Sequence, residues 1–178
     1  PASPMMQHAP MNTAIAIAAA MVSSLYIQVL SLFAIMFVYD VAFNPFVMEE
    51  IFDPIGCMAM VLLAWFSGAA IGMVFLAVKP WFPTPVNIIS TIYQRANMIA
   101  SGKMFVANSM PGYMLVMFDW NPLFHTIDQS RGYAFVNYNP RVTDWEYAFF
   151  LSIGLICIGL MGEFYTRKHA SASWNARR

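Results

Sequence analysis

PIGCMAMVLLAWFSGAAIGMVFLAV, residues Pro54–Val78, holds no Lys, Arg, Asp or Glu. An apolar run of this length, at 1.5 Å of rise per residue, matches a hydrocarbon core about 30 Å thick. Working outward, nothing before Asp40 carries a charge either. A soluble chain needs ionised groups throughout its surface, and here only 10% of residues are charged against 60% hydrophobic. The solvent of this chain is therefore a bilayer.

Four apolar segments follow from that premise, at about 13–38, 55–78, 86–106 and 147–163. In lipid every backbone polar group must be satisfied internally, and none of these segments alternates as barrel strands do. The expected fold is all-α: one polytopic membrane helical bundle, 1–178, of about four transmembrane helices plus short re-entrant helices. Lys79, Arg167-Lys168 and Arg177-Arg178 mark the cytoplasmic side, whereas Asp40–Asp53 carries Asp40, Glu49, Glu50 and Asp53 without a cation. Arg131 and Arg141 fall on the outer side, beside Asp128, Asp144 and Glu146. The C-terminus is thus expected inside. Pro1-Ala2-Ser3-Pro4 reads as mid-protein loop, so a piece of a longer protein is expected, and no basic stretch with an apolar core and cleavage site marks a signal peptide.

Zero net charge leaves no basic footprint for nucleic acid. Cys57 and Cys157 sit in apolar surroundings and read as small buried hydrophobes, with neither a disulfide nor a metal site implied. No phosphate-cradling Gly-x-x-x-x-Gly-Lys-[Ser/Thr] occurs, so energy for any transport must come from elsewhere. Gly68-xxx-Gly72 permits close helix approach and reads first as packing within the chain, second as a subunit contact.

The segment 107–145 breaks the pattern. Pro111-Gly112, Asn121-Pro122 and Pro140 interrupt it, yet Tyr113–Trp120 is as apolar as any span. Apolar pieces this short suit re-entrant or interfacial helices, tolerated at depth only within protein or beside water. From Leu123 the pattern is an amphipathic helix with Asn121 as N-cap and Pro122 at its first position. His125, Asp128 and Arg131 recur every third residue and share roughly one face. A His–Asp pair can do acid–base work, but no nucleophile or metal cluster accompanies it, and Arg131 can simply pair with Asp128. Arg95 lies inside the third apolar segment, where a charge either faces a protein interior or aqueous cavity or snorkels to the interface. Tyr113, Trp120 and Phe124, with neighbouring rings, form either an interfacial aromatic belt or a surface on which sugar faces stack.

Ser101-Gly102-Lys103-Met104-Phe105, Met110-Pro111, Asn121-Pro122-Leu123-Phe124-His125-Thr126-Ile127-Asp128-Gln129-Ser130-Arg131-Gly132 and Tyr138 together resemble the C-terminal part of ABC-2 type permeases that export capsular polysaccharide and O-antigen in Gram-negative bacteria. Gly102 stands where O-antigen relatives more usually carry Pro, which favours the capsule branch. The resemblance covers nearly the whole chain and implies spans three to six of six, without the N-terminal helix and first two spans. It implies a multi-pass inner-membrane, channel-forming subunit with no catalytic residues and no cofactor. Its partners would be a cytoplasmic ATP-binding subunit, a second copy of itself, a polysaccharide or glycolipid substrate, and membrane lipid. Asn121, Pro122, His125, Asp128 and Arg131 would then shape a periplasmic gate. Arg95 would face the conduit, and Tyr113, Trp120 and Phe124 would contact sugar. The rivals are an ABC-2 permease for a lipid or drug, a small membrane-embedded enzyme using His125 and Asp128, and a non-transporting assembly subunit.

Overall fold

The computed structural model describes residues 13–42 and 51–175. Among them are six α-helices: α1 Thr13–Ala42, α2 Pro54–Val78, α3 Pro83–Ala100, α4 Gly112–Phe118, α5 Pro122–Ala134 and α6 Trp145–Asn175. The described residues contain no strand. Among the described residues, three stretches are long and apolar enough to cross a membrane: Ile15–Ala42, Pro54–Val78 and Trp145–Thr166. Residues 1–12 and 43–50, which hold the mid-protein loop and Glu49 and Glu50 of the expected outer connection, lie outside the described residues.

The chain divides into a unit ending at Glu50 and one running from Ile51. In the first, α1 is a 30-residue helix, about 45 Å long. Part of its polar minority is satisfied within the helix: Ser31 Oγ donates to the Ile27 carbonyl at 2.7 Å and Gln28 Nε2 to Ser24 Oγ at 3.3 Å. Such back-bonding lets hydroxyl and amide groups sit in lipid without an outside partner.

In the second unit, α2 starts cleanly because Asp53 caps it, its Oδ1 accepting from the Ile55 and Gly56 N–H groups at 3.1 and 3.0 Å, with Pro54 in the first turn. α2 and α6 run in the same direction. Phe66 meets Phe149 at the start of the seam (ring centroids 6.4 Å), Met73 meets Gly159 midway, and Ala77 meets Gly162 near the end. A Cβ at Gly159 would stand 2.8 Å from that of Met73 and 3.1 Å from the Met73 carbonyl carbon, so only glycine admits this approach. Thr166 then donates to the Ala77 carbonyl at 3.0 Å and accepts from Trp81 Nε1 at 2.9 Å, pinning the far end.

Gly68 and Gly72 behave otherwise. A Cβ at either would meet nothing within 4 Å, so they do not serve the helix packing within the chain that their spacing suggests. The third apolar segment becomes α3, an 18-residue amphipathic helix that stops at Ala100 rather than running on to 106. It stops because Gly102 adopts φ +74°, and a Cβ there would also stand 2.7 Å from the Phe124 ring. Proline, with φ fixed near −65°, cannot take that conformation. Both cysteines are free. Cys57 is half-buried and its Sγ lies 3.6 Å from the Ser130 carbonyl, whereas Cys157 is exposed on α6, not buried as expected.

Candidate functional site

Residues 101–145 fold back against α2 and α6 around α5. Its start is as expected: Pro122 occupies the first turn and Asn121 Oδ1 accepts from the Leu123 N–H at 3.0 Å. The same side chain reaches across to α3, where its Nδ2 donates to Asn97 Oδ1 at 2.6 Å and to the Ala100 carbonyl at 3.2 Å. One buried carboxamide thus starts α5 and finishes α3. The other end of α5 is closed by the chain ahead of α2: the Asp53 and Phe52 N–H groups donate to the Tyr133 and Ala134 carbonyls at 2.8 and 3.3 Å.

Asp128 is 1% exposed. Its Oδ1 accepts from Tyr138 Oη at 2.5 Å and its Oδ2 from Thr143 Oγ1 at 2.9 Å. Arg131 lies 3.9 Å away, at the edge of ion-pair range. A buried carboxylate with two hydroxyl donors and a nearby guanidinium has its lone pairs met, which burial demands. Burial and the bond to Asp128 push the Tyr138 phenol up to about 12, so it donates as a neutral group. Gln129 Nε2 donates to the Thr143 carbonyl, tying the same loop a second time.

Arg131 is chiefly occupied elsewhere. Its guanidinium donates to the carbonyls of Phe105 (2.7 Å), Gly102 (2.8 Å) and Lys103 (3.1 Å). The turn after α3 leaves those carbonyls without helical partners, and a planar fork of N–H groups can serve several at once.

His125 has both ring nitrogens engaged. Nδ1 accepts from the Asp144 N–H at 3.0 Å, so Nε2 carries the proton and donates to the Asp119 carbonyl at 2.6 Å. Asp119 Oδ1 lies 3.5 Å from the same nitrogen. The ring stacks obliquely on Tyr147, centroids 4.8 Å apart. Among the described residues no hydrogen bond or ion pair joins His125 to Asp128. The carboxylate beside His125 is Asp119.

The proposed aromatics separate. Tyr113 and Trp120 are 75% and 58% exposed, while Phe124 is 1% exposed inside a cluster with Phe105 and Phe118, centroids 5.1–6.4 Å apart. Phe124 packs the turn at Gly102 and offers a ligand no surface. Arg95 remains exposed on α3, sharing a stripe with Ile88, Ile92 and Ile99, apart from the network around α5.

Sequence reasoning overlooked Asn97, Asp119, Thr143 and Asn108, whose Nδ2 donates to the Asn139 carbonyl at 2.8 Å. One signal was available: short polar residues clustered beside proline breaks satisfy freed backbone groups. Among the described residues, no three His, Cys, Asp or Glu stand together as a metal site. The arrangement braces a loop, and His125 spends both ring nitrogens on backbone groups. Comparison with protein-family models, curated proteins and solved structures finds no match to this chain.

Proposed function

We propose that this chain is the channel-forming membrane subunit of an ATP-driven exporter that moves a capsular or lipid-linked polysaccharide across a bacterial inner membrane. In this reading α1, α2, α3 and α6 cross, the C-terminus is cytoplasmic, and α4 and α5 dip back from the outer face as a gate. One observation carries it: packed against α2 and α6, the proline-broken segment buries Asn121, His125 and Asp128 with every buried side-chain polar atom partnered. Backbone that leaves the helix at membrane depth requires such internal satisfaction and is tolerated inside protein or beside an aqueous cavity. The residues that carry the resemblance to polysaccharide-exporting permeases are the same ones, Ser101–Phe105 and Asn121–Gly132. Tyr113 and Trp120 supply exposed rings for sugar faces. ATP hydrolysis then belongs to a cytoplasmic partner, and two copies of the membrane subunit enclose the conduit.

The test is co-purification of the protein with an ATP-binding subunit, combined with a surface-glycan assay. Asp128→Ala should reduce surface glycan while membrane insertion persists. Absence of an ATP-binding partner, or undiminished glycan, overturns the reading.

A further inference from the structure

A cleft of about 390 Å³ opens between α2 and α3, with apolar Leu123 and Ile127 of α5 also in its lining. Its α2 wall includes Ser67, Gly68 and Gly72, and the open space over both glycines leaves bare backbone facing the cleft. Its α3 wall includes Gln94, Asn97 and Ser101, spaced so that all three fall on one helix face. Phe75 and Tyr93 stand at one end, ring centroids 5.8 Å apart. Lys103 lines the other end, and it is the one charged residue among those that line the cleft.

Three polar side chains here, Gln94, Asn97 and Lys103, keep groups that the fold does not consume. Ser67 and Ser101 are 2% exposed and donate to carbonyls of their own helices, at 2.8 and 3.4 Å, so they shape the wall without offering a group to a ligand. Asn97 uses its oxygen for Asn121 and keeps its amide N–H groups. Gln94 and Lys103 make no side-chain hydrogen bond or ion pair with any described residue. Carboxamide groups left unpaired between two helices of a membrane chain demand water or a hydroxylated partner. The volume falls in the range of about 300–1,000 Å³ typical of small-molecule sites. With one cation and no carboxylate in the lining, the favoured ligand is negative.

We propose that the α2–α3 cleft is a hydrated binding site for an anionic polyol, an acidic or phosphate-bearing sugar unit. Lys103 meets its charge; Gln94 and the Asn97 amide N–H groups meet its hydroxyls. The site deepens the exporter reading and rests on it only for where such a ligand originates, as cargo or as lipid headgroup.

The open space at Gly68 supplies the test, because a side chain there fits. The full chain, with Cys57→Ala, Cys157→Ala and Gly68→Cys, is placed in phosphatidylcholine nanodiscs and labelled with water-borne thiosulfonates, one anionic and one cationic. The thiol should label. The ratio of anionic to cationic rates should fall about tenfold in Lys103→Gln, as expected for loss of one charge acting across several ångströms. Lys103→Arg should restore it, and unchanged circular dichroism certifies the fold. Glucose 1-phosphate should slow labelling more than glucose or inorganic phosphate alone, and Gln94→Leu should weaken that protection. Protection by phosphatidylglycerol nanodiscs without added sugar would support the same chemistry with a lipid headgroup as the source. An unreactive thiol, an unchanged rate ratio in Lys103→Gln, or equal protection by glucose would overturn the proposal. None of these readouts requires transport, so failure of the exporter reading shows separately, as a missing ATP-binding partner.

Discussion

Along the α2–α6 seam the two helices come close at Gly159 and Gly162, whereas α5 is fastened by carboxamides, a carboxylate, an imidazole and a guanidinium. Lipid tails are as apolar as leucine, so burying apolar surface gives helices in a bilayer little reason to associate. Small residues solve this along the seam by letting backbones touch and dispersion accumulate. Around α5 the chain is broken by proline, so backbone groups are released and must be caught by side chains. The first device tolerates no added atom. The second tolerates no missing partner.

Breaking the second device should have the larger effect. Asp128→Ala leaves the Tyr138 and Thr143 hydroxyls and part of the Arg131 charge uncompensated in a buried place, at a cost of about 3–5 kcal/mol. Unfolding by titration with sodium dodecyl sulfate in mixed micelles measures it. Gly159→Val attacks the seam and should cost about 2–3 kcal/mol, because the atoms it strikes include Met73 backbone. Gly68→Ala is its control and should stay within about 1 kcal/mol of the parent, since its Cβ enters open space. Should the two glycines respond alike, the contrast between seam and cleft is lost. Asn121→Ala removes an N-cap and should cost about 1–2 kcal/mol, with faster hydrogen exchange at the start of α5.

The smallest effect sharpens the comparison through pH. The Tyr138 phenol has its folded-state value raised to about 12 from an ordinary 10. A raised value means the neutral form is favoured by folding, so its contribution is intact below about pH 10 and disappears as pH climbs through 12. Tyr138→Phe should cost about 1 kcal/mol at pH 7 and lose this part of the alkaline destabilisation. The difference between parent and variant titrations isolates it from other groups that titrate there.

Much of this was open to inspection in the chain itself. Charge-free length announced α2, and Asn121-Pro122 announced the start of α5, because caps and proline act within one turn. The partners of α5 were not legible. Arg131 sits three residues from Asp128 and invites an ion pair, yet it serves carbonyls 26 to 29 residues earlier. Phe124 looks like its exposed neighbour Trp120, and only the turn at Gly102 decides that it is buried. The direction in which Gly68 and Gly72 face depends on which helix arrives beside them. Periodicity describes one helix at a time; side chains that bridge breaks depend on the whole path of the backbone.

The bonds from Phe52 and Asp53 to Ala134 and Tyr133 have a consequence in time. Those two N–H groups leave the ribosome roughly eighty residues ahead of the carbonyls they will meet, a delay of roughly 4–16 s at ordinary elongation speeds. During that interval the entry to α2 has no permanent backbone partner, so water, headgroups or the insertion machinery must lend one. The mouth of this helix is finished last, although the helix itself is made early.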